Sequence, residues 1–443
     1  MKVLPLVLAF VLVASPVLGA VGPQAGSPPA DALGDTAAQV QTSSNGTIRV
    51  LDIPASSVVR STVDLQHVDL GPSLDFAGLR AGTQIQTLSS IERIRSASDD
   101  GVRQQLILGE INQIEQRAIA LQSAQRNAIE AYNSGGISAR ELLVELARID
   151  AEARELNERR IELREISAQT PDFSVDPGRL AALERELDTF TGPVREQAVS
   201  VLTGAETPTR FFVRTSEDGL VLSVITDDTY IREAYRSDLR NRDESGVTPT
   251  EALDKVAENY PYVWDSRATQ NGADVVGAGN SYLVRVNHDR GQLFAYVDSG
   301  SAKVFKEAQI RPLDTISNGT MATEVKDGLN LSVNRTYPGG PLRIQLTETE
   351  TGDPVDANVT IGLEASRESS LLGRTGADGT IWTVSPGSRF TITVIKGNAA
   401  VVLTVSPTPV PHLLTNTTKT NETTTTPASD VTPSGTATPQ FDG

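Results

Sequence analysis

Cysteine is absent from all 443 residues, so no disulfide can staple a small domain, and each folded part must hold itself together by an ordinary apolar core. The same absence removes the acylation site of a lipoprotein anchor. Lysine is scarce: Lys2, Lys255, Lys303, Lys306, Lys326, Lys396 and Lys419 are outnumbered several-fold by arginine. The histidines are three, His67, His288 and His412, and they fall in different segments. That spacing excludes a His-x-x-x-His zinc pair and a local metal cluster. Positive charge is in deficit, with a formal net charge of −17, which argues against nucleic acid or an anionic lipid surface as the main partner. Beyond the N-terminus no stretch approaches the roughly 18 uninterrupted apolar residues of a membrane span.

Catalytic and cofactor signatures are also missing. There is no Gly-x-Ser-x-Gly elbow, phosphate-cradling glycine loop or Ser-x-x-Lys motif, so no catalytic residue, cofactor or metal ligand is assigned. Asp218-Gly219 and Asp378-Gly379 lie outside any Asp-x-Asp-x-Asp-Gly calcium loop and read as turns. His288, beside Asp289 in an expected hairpin turn, reads as a solvated turn residue. A glycosidase-like carboxylate pair stays open, because an acidic chain offers many candidates.

What is present begins with an export signal. Met1-Lys2 supplies a charged start, Val3 to Val17 an apolar run containing Pro5 and Pro16, and Leu18-Gly19-Ala20 the small residues of a cleavage point. Residues 1–20 are therefore expected to be a signal peptide, with an uncleaved N-terminal anchor as the alternative and the only membrane contact. Either reading places the protein in the medium or on the cell surface. Residues 21–47, rich in Gly, Pro, Ala, Ser, Thr and Gln, read as a flexible leader. The acidic, lysine-poor composition is similar to that of secreted proteins from extreme halophiles, where carboxylates hold water in concentrated salt. The alternative is a moderately acidic protein from a GC-rich genome.

A helical domain is expected over 48–204, preceded by an edge strand within Ile48 to Val68. Asp99-Asp100 can cap a helix carrying Ile107, Ile111, Ile114, Ala118, Leu121, Gln125, Ala128 and Tyr132 at alternating spacings of four and three. Asn133-Ser134-Gly135-Gly136 ends it. Ser138 and Glu141 open the next helix as a capping box, and Leu142, Leu146, Ile149, Ala153, Leu156, Arg160 and Leu163 continue the spacing. Folded about the glycines, the two form an antiparallel hairpin roughly 45 Å long, with polar Gln125 and Arg160 in the seam to set the register. Ile85 to Ser96 and Pro177 to Leu202, broken at Gly192-Pro193, add helices to a small bundle.

An α+β domain is expected over 207–316. Phe211 to Arg214 and Leu220 to Ile225 flank a Ser-Glu-Asp-Gly turn as a hairpin, Asp227 to Arg240 reads as helical, and Thr248-Pro249-Thr250-Glu251 starts a capped helix ending before Pro261. Tyr282 to Val286, Leu293 to Asp298 and Lys303 to Lys306 follow as strands. From Thr248 to about Lys306 this segment resembles the PepSY family, on the helix start, Tyr260-Pro261, Tyr282 to Val286, Gly291, Tyr296-Val297-Asp298 and Lys303-Val304. Where that family has Thr-Gly before Lys-Val, this chain has Ser301-Ala302, so a different turn is expected. The resemblance covers about 60 of the 443 residues; such modules accompany extracellular proteases and cell-envelope proteins, and the resemblance implies an inhibitory or protein-binding role rather than catalysis.

Alternating strands from Asn330, at Leu342 to Leu346, Ala357 to Ile361, Ile381 to Val384, Phe390 to Val394 and Ala400 to Val405, predict a β-sandwich over 325–406. Thr351 to Ala357 and Thr375 to Thr380 are similar to carboxypeptidase-regulatory and Ig-like modules of surface proteins, which implies a spacer or adhesive unit. The tail, 407–443, is rich in Thr, Pro and Ser and is expected to be disordered. Acceptor sequons for N-glycosylation stand at Asn45, Asn318, Asn330, Asn334, Asn358, Asn416 and Asn421. Taken together, the fold class is a multi-domain α+β chain of helical hairpin, PepSY-like domain and all-β sandwich. The expected function is non-enzymatic interaction with an unknown protein or envelope partner. The alternative is regulation of an extracellular protease, and a third reading is an envelope-polymer hydrolase.

Overall fold

The computed structural model describes residues 46–414 apart from 243–245, 270–271, 318 and 365–368. The expected signal peptide, the leader up to residue 45 and the tail from residue 415 lie outside the described residues. Within them are seven α-helices and sixteen strands, a mixed α+β fold with the helices concentrated toward the N-terminal end.

The helical layer comprises α1 (Leu70–Arg95), α2 (Asp100–Asn133), α3 (Ala139–Gln169), α4 (Pro177–Asp188) and α5 (Pro193–Thr203). The Asp99 carboxylate accepts from the Val102 amide and caps α2, while Ser138 and Glu141 form the reciprocal capping box of α3. Every residue of the expected α2 and α3 seams is buried. The two polar seam residues have partners outside the hairpin. Gln125 Oε1 accepts from Arg195 Nη1 of α5 at 2.8 Å, and Arg160 pairs with Glu184 of α4 at 3.0 Å. They dock two further helices onto the hairpin. The helix expected from Ile85 starts fifteen residues earlier, at Leu70, where Asp69 caps it by accepting from Gly71 N.

The central sheet has β1 (Arg60–Gln66), β2 (Thr209–Thr215), β3 (Gly219–Thr226), β4 (Thr229–Arg236), β5 (Ala273–Ala278), β6 (Ser281–His288), β7 (Gly291–Asp298) and β8 (Val304–Pro312), in the order β1-β2-β3-β4-β8-β7-β6-β5. Two antiparallel meanders thus meet where β4 pairs with β8. Helices α6 (Pro249–Asn259) and α7 (Pro261–Asp265) link them. The expected edge strand is β1, and its pairing with β2 puts residues from both sides of the 204–207 boundary into one sheet.

Asp227 to Arg240 is not helical, contrary to the sequence reading: its main element is β4. The stretch Thr-Tyr-Ile-Arg-Glu-Ala-Tyr-Arg carries charges at neighbouring positions, as a solvated helix would. In the strand, Arg232 and Glu233 point to opposite faces and both are buried. The helical layer covers the Glu233 face, through a core that joins α5 and the hairpin to Phe211, Val213 and Leu222. The Arg232 face is covered by residues 48–53, α6 and α7, in a second core with Phe212, Tyr260 and Val284.

The C-terminal sandwich packs two four-stranded sheets. One is β14 (Thr380–Val384), β11 (Pro341–Glu348), β10 (Leu329–Arg335) and β9 (Thr320–Lys326). The other is β13 (Ser369–Arg374), β12 (Asn358–Leu363), β15 (Phe390–Lys396) and β16 (Ala399–Val405). Strands β9 and β13 escaped the sequence reading because they lie at sheet edges, largely exposed, and carry little of the inward alternation. The expected tail begins as ordered chain. Thr408 N donates to Thr336 O, Val50 N donates to Pro411 O at 2.9 Å, and Leu413 is fully buried.

The loop between β10 and β11 plugs the sandwich into the central sheet. Gly339 O accepts from Ser223 Oγ at 2.5 Å and Tyr230 Oη at 2.8 Å. Gly339 has φ of 75°, and a Cβ there would meet the Phe212 ring, so glycine is required twice over. Gly339→Val is expected to loosen this joint and lower stability by about 2 kcal/mol or more. Differential scanning calorimetry should then resolve a separate sandwich transition, and an unchanged single transition would contradict the assigned role.

Candidate functional site

The strongest concentration of buried ionisable groups straddles the β4–β8 seam, because adjacent residues of each strand face opposite layers. On the helical side, the target is the elbow between α4 and α5. Glu233 receives Val194 N at 3.2 Å and Arg195 Nε at 2.8 Å, which places a carboxylate at the N-terminus of α5, where the helix dipole favours it. Gly192 makes room, since any Cβ there would overlap that carboxylate. Asp150 accepts from Gly192 N at 2.8 Å and from Arg154 Nε at 2.8 Å. Arg195 Nη1 donates to Phe190 O at 2.7 Å, and Lys306 Nζ donates to Asp188 O and Thr191 O.

Burial, reinforced by the Arg195 charge and opposed by Glu233 and Asp188, holds the Lys306 ammonium down at about 8. A buried amine of lowered pKa beside a cleft is the profile of a nucleophilic lysine. The cleft is small, 170 Å³, and lined in part by Tyr296, Pro193 and Phe294. The hydrogen bonds decide the matter: the Lys306 ammonium is spent on two carbonyls at the end of α4, the place where a cation caps a helix. Sequence reading missed this group because its partners come from α3, α4, α5 and β4.

On the opposite face, Arg232 Nη1 donates to Glu307 Oε1 at 2.9 Å and its Nη2 to Leu51 O at 2.6 Å, 3.4 Å from Asp52 Oδ2. Glu307 Oε2 accepts from Leu51 N and Tyr260 Oη, both at 2.6 Å. Arg236 Nη1 donates to Asp52 O at 2.9 Å, and Arg214 lies 3.3 Å from Asp52 Oδ1. Burial pushes the Glu307 carboxyl up, against the pull of Arg232. Burial lowers Arg232 in turn, but Glu307 and Asp52 outweigh it and raise its pKa. This network clamps residues 49–52 to the sheet. No group of three or more His, Cys, Asp or Glu that could hold a metal occurs among the described residues.

The residues carrying the PepSY-like pattern are part of this framework. Tyr260 bonds Glu307, the Tyr296 ring lies 4.7 Å from Lys306 Nζ, and Asp298 Oδ1 accepts from Asn241 N and Ser301 N. The Ser301-Ala302 turn keeps a glycine-like backbone, because Ala302 has φ of 56°. A side chain in that region costs about 1–2 kcal/mol. Ala302→Gly should therefore raise stability by about 0.5–1 kcal/mol, read from urea unfolding; a loss would show that the Ala302 methyl earns its place by packing.

His288 is not a solvated turn residue. It ends β6, pairs with Gly291, and its side chain is 1% exposed. The turn proper is Asp289-Arg290. Burial and then Arg311 hold the imidazole down at about 4, against the attraction of Asp289. It is neutral in the folded protein while an unfolded histidine protonates near 6.5. Between those values the unfolded chain binds more protons, so this group's contribution is full above pH 6.5 and is lost as pH falls to 4, by about 3 kcal/mol. Comparing urea midpoints of the native protein and His288→Gln from pH 7 to 4 should show a flatter profile in the variant. Equal slopes would remove His288 from the account.

Of the glycosylation sequons, Asn358 is exposed at the start of β12 and Asn330 is half-buried on β10. Asn334 is buried, with Oδ1 accepting from Gly319 N at 2.6 Å and Nδ2 donating to Ser317 O, so its amide is committed in the folded state. Asn45, Asn318, Asn416 and Asn421 lie outside the described residues.

Comparison with known families divides the chain into three. Residues 1–207 match a domain of unknown function, DUF7096, and residues 211–317 match a family of unknown function, DUF7094. Residues 320–403 match an archaeal fibronectin-III type-like domain, in agreement with the Ig-like sandwich. No curated protein and no solved structure matches the chain.

Proposed function

We propose that this chain is a non-enzymatic interaction protein of the cell surface or the medium, carrying a fibronectin-III-like sandwich on an α+β body. The observation that supports it most is how the perturbed groups are used. Lys306, Glu233, Glu307 and Arg232 have the burial and charge that suit catalysis, yet each is bonded to backbone atoms of the α4–α5 elbow or of Leu51. Their work is to brace a scaffold. The signal-like sequence of Met1 to Ala20, the acidic lysine-poor composition and the Thr-rich tail support export and an environment of concentrated salt. No described helix is long and apolar enough to cross a membrane, so the N-terminal run is the candidate anchor.

A second reading is regulation of an extracellular protease through the PepSY-like segment. It is favoured by the order of α6 and the antiparallel β6, β7 and β8, the arrangement that the resemblance implies. An envelope-polymer hydrolase is the third reading.

Expression in a salt-loving archaeal host with fractionation tests the first reading. The protein is expected in the medium or envelope, and mass analysis should find a mature N-terminus just after Ala20 or an intact anchor. Cytoplasmic recovery would refute export. The purified chain, immobilised, is then expected to retain envelope glycan or surface protein without turnover. A protease captured and slowed would favour the second reading, and polymer hydrolysis abolished by a single carboxylate change would establish the third.

A further inference from the structure

The outer face of α1 carries the most exposed large apolar side chains described in the chain. Leu70, Leu74, Ile85 and Leu88 are 76%, 71%, 67% and 69% exposed. With Ala77 and Ala81 between them they form one stripe, because spacings of three and four residues keep to one side of a helix. The opposite side of α1 buries Phe76, Ser90, Ile91 and Ile94. Charge is kept off the stripe. Between Leu70 and Ile91 the charged residues are Asp75 and Arg80, and they pair with Arg148 and Glu155 of α3. In a chain of net charge −17, a helical stripe of this length whose neighbouring charges, Asp75 and Arg80, stand on its flanks is an apolar patch that calls for a partner.

The order of the stripe says which. Read from either end it runs large, large, small, small, large, large: Leu70, Leu74, Ala77, Ala81, Ile85, Leu88. Its midpoint falls at Leu79-Arg80. When two such helices are laid antiparallel about that midpoint, Leu70 meets Leu88, Leu74 meets Ile85, and the alanines, with Gly78 and Gly82 beside them, cross at the centre. Small residues at a crossing let helix axes approach to about 8 Å, and antiparallel dipoles attract. A two-fold interface must be self-complementary, and this palindrome provides it; a partner of unrelated sequence would not require one.

We propose that α1 is a homodimer interface, pairing antiparallel with α1 of a second copy through this stripe. A single helix pair is a small interface, so association in the micromolar range is expected. The two acidic copies repel each other, and screening by salt should favour the dimer.

Sedimentation velocity of the full chain over about 1–100 µM, at low and at molar salt, tests this. The mass should rise from one copy toward two with concentration, and more readily in salt. Leu74→Glu and Ile85→Glu should each weaken association by about tenfold or more, since the two-fold axis inserts every substitution twice. At concentrations where the native chain is monomeric their thermal melts should match it, because both side chains are exposed. Orientation is read by disulfide trapping, which the absence of native cysteine makes clean. Chains carrying Leu74→Cys mixed with chains carrying Ile85→Cys should cross-link, whereas Leu74→Cys alone should not. A monomer throughout, a dimer indifferent to Leu74→Glu, or efficient self-linking of Leu74→Cys would overturn the proposal. So would flotation of a monomer with phosphatidylglycerol vesicles that Leu74→Glu abolishes, which would give the stripe to lipid.

Discussion

The ion pair between Arg232 and Glu307, in the middle of the eight-stranded sheet, is the contact on which the rest of this structure depends. Both side chains are fully buried, and removing either would leave a charge stranded away from water, at a cost of about 3–5 kcal/mol. The pair spans the seam between β4 and β8, where two meanders from distant parts of the chain become one sheet. An apolar seam would have joined them as well. A charged one is selective, because a slip of one residue in either strand would turn that strand's buried charge, Arg232 or Glu307, toward the helices and leave its partner unpaired in the other core.

From that seam the same alternation builds outward in two directions. Glu233 and Lys306 reach the elbow of α4 and α5, and through Arg195 and Gln125 the elbow is tied to the long hairpin. Arg232 and Glu307 reach Leu51 and Asp52, and Val50 pairs in turn with His412, near the last of the described residues. The sandwich is held on this second side, where Gly339 sits against Phe212 and Tyr230. Three segments that match separate families therefore share buried contacts, with the helices, the sheet and the fibronectin-III-like module braced against one another.

Much of the architecture was legible because it obeys simple periods. The α2–α3 hairpin announced itself through Asp99, Ser138, Glu141 and a seam in which every residue is buried, and the strands β6, β7, β11, β12 and β15 through alternation about glycine turns. The misreadings share one cause. Arg232 and Glu233 look like a solvated helix surface and His288 like a turn residue, because a polar side chain is presumed wet until its partner is seen; Gln125 and Arg160 are legible in the seam, but the helices they hold are not. Each partner lies far away in sequence: Glu307 is 75 residues from Arg232, and Arg195 is 70 from Gln125. Local pattern carries no information about such pairs.

By itself, then, the sequence determined the helices that have an apolar seam and a cap, the strands that alternate, the lack of disulfides and the acidic balance of the chain. These follow from covalent composition and from side-chain periodicity within a few turns. The tertiary structure decided where the buried charges go, that the helical and α+β segments share one sheet, and that the α1 stripe is left exposed among the described residues. Those are matters of which distant surfaces meet, and a buried charge is tolerated only where another part of the chain supplies its counterpart.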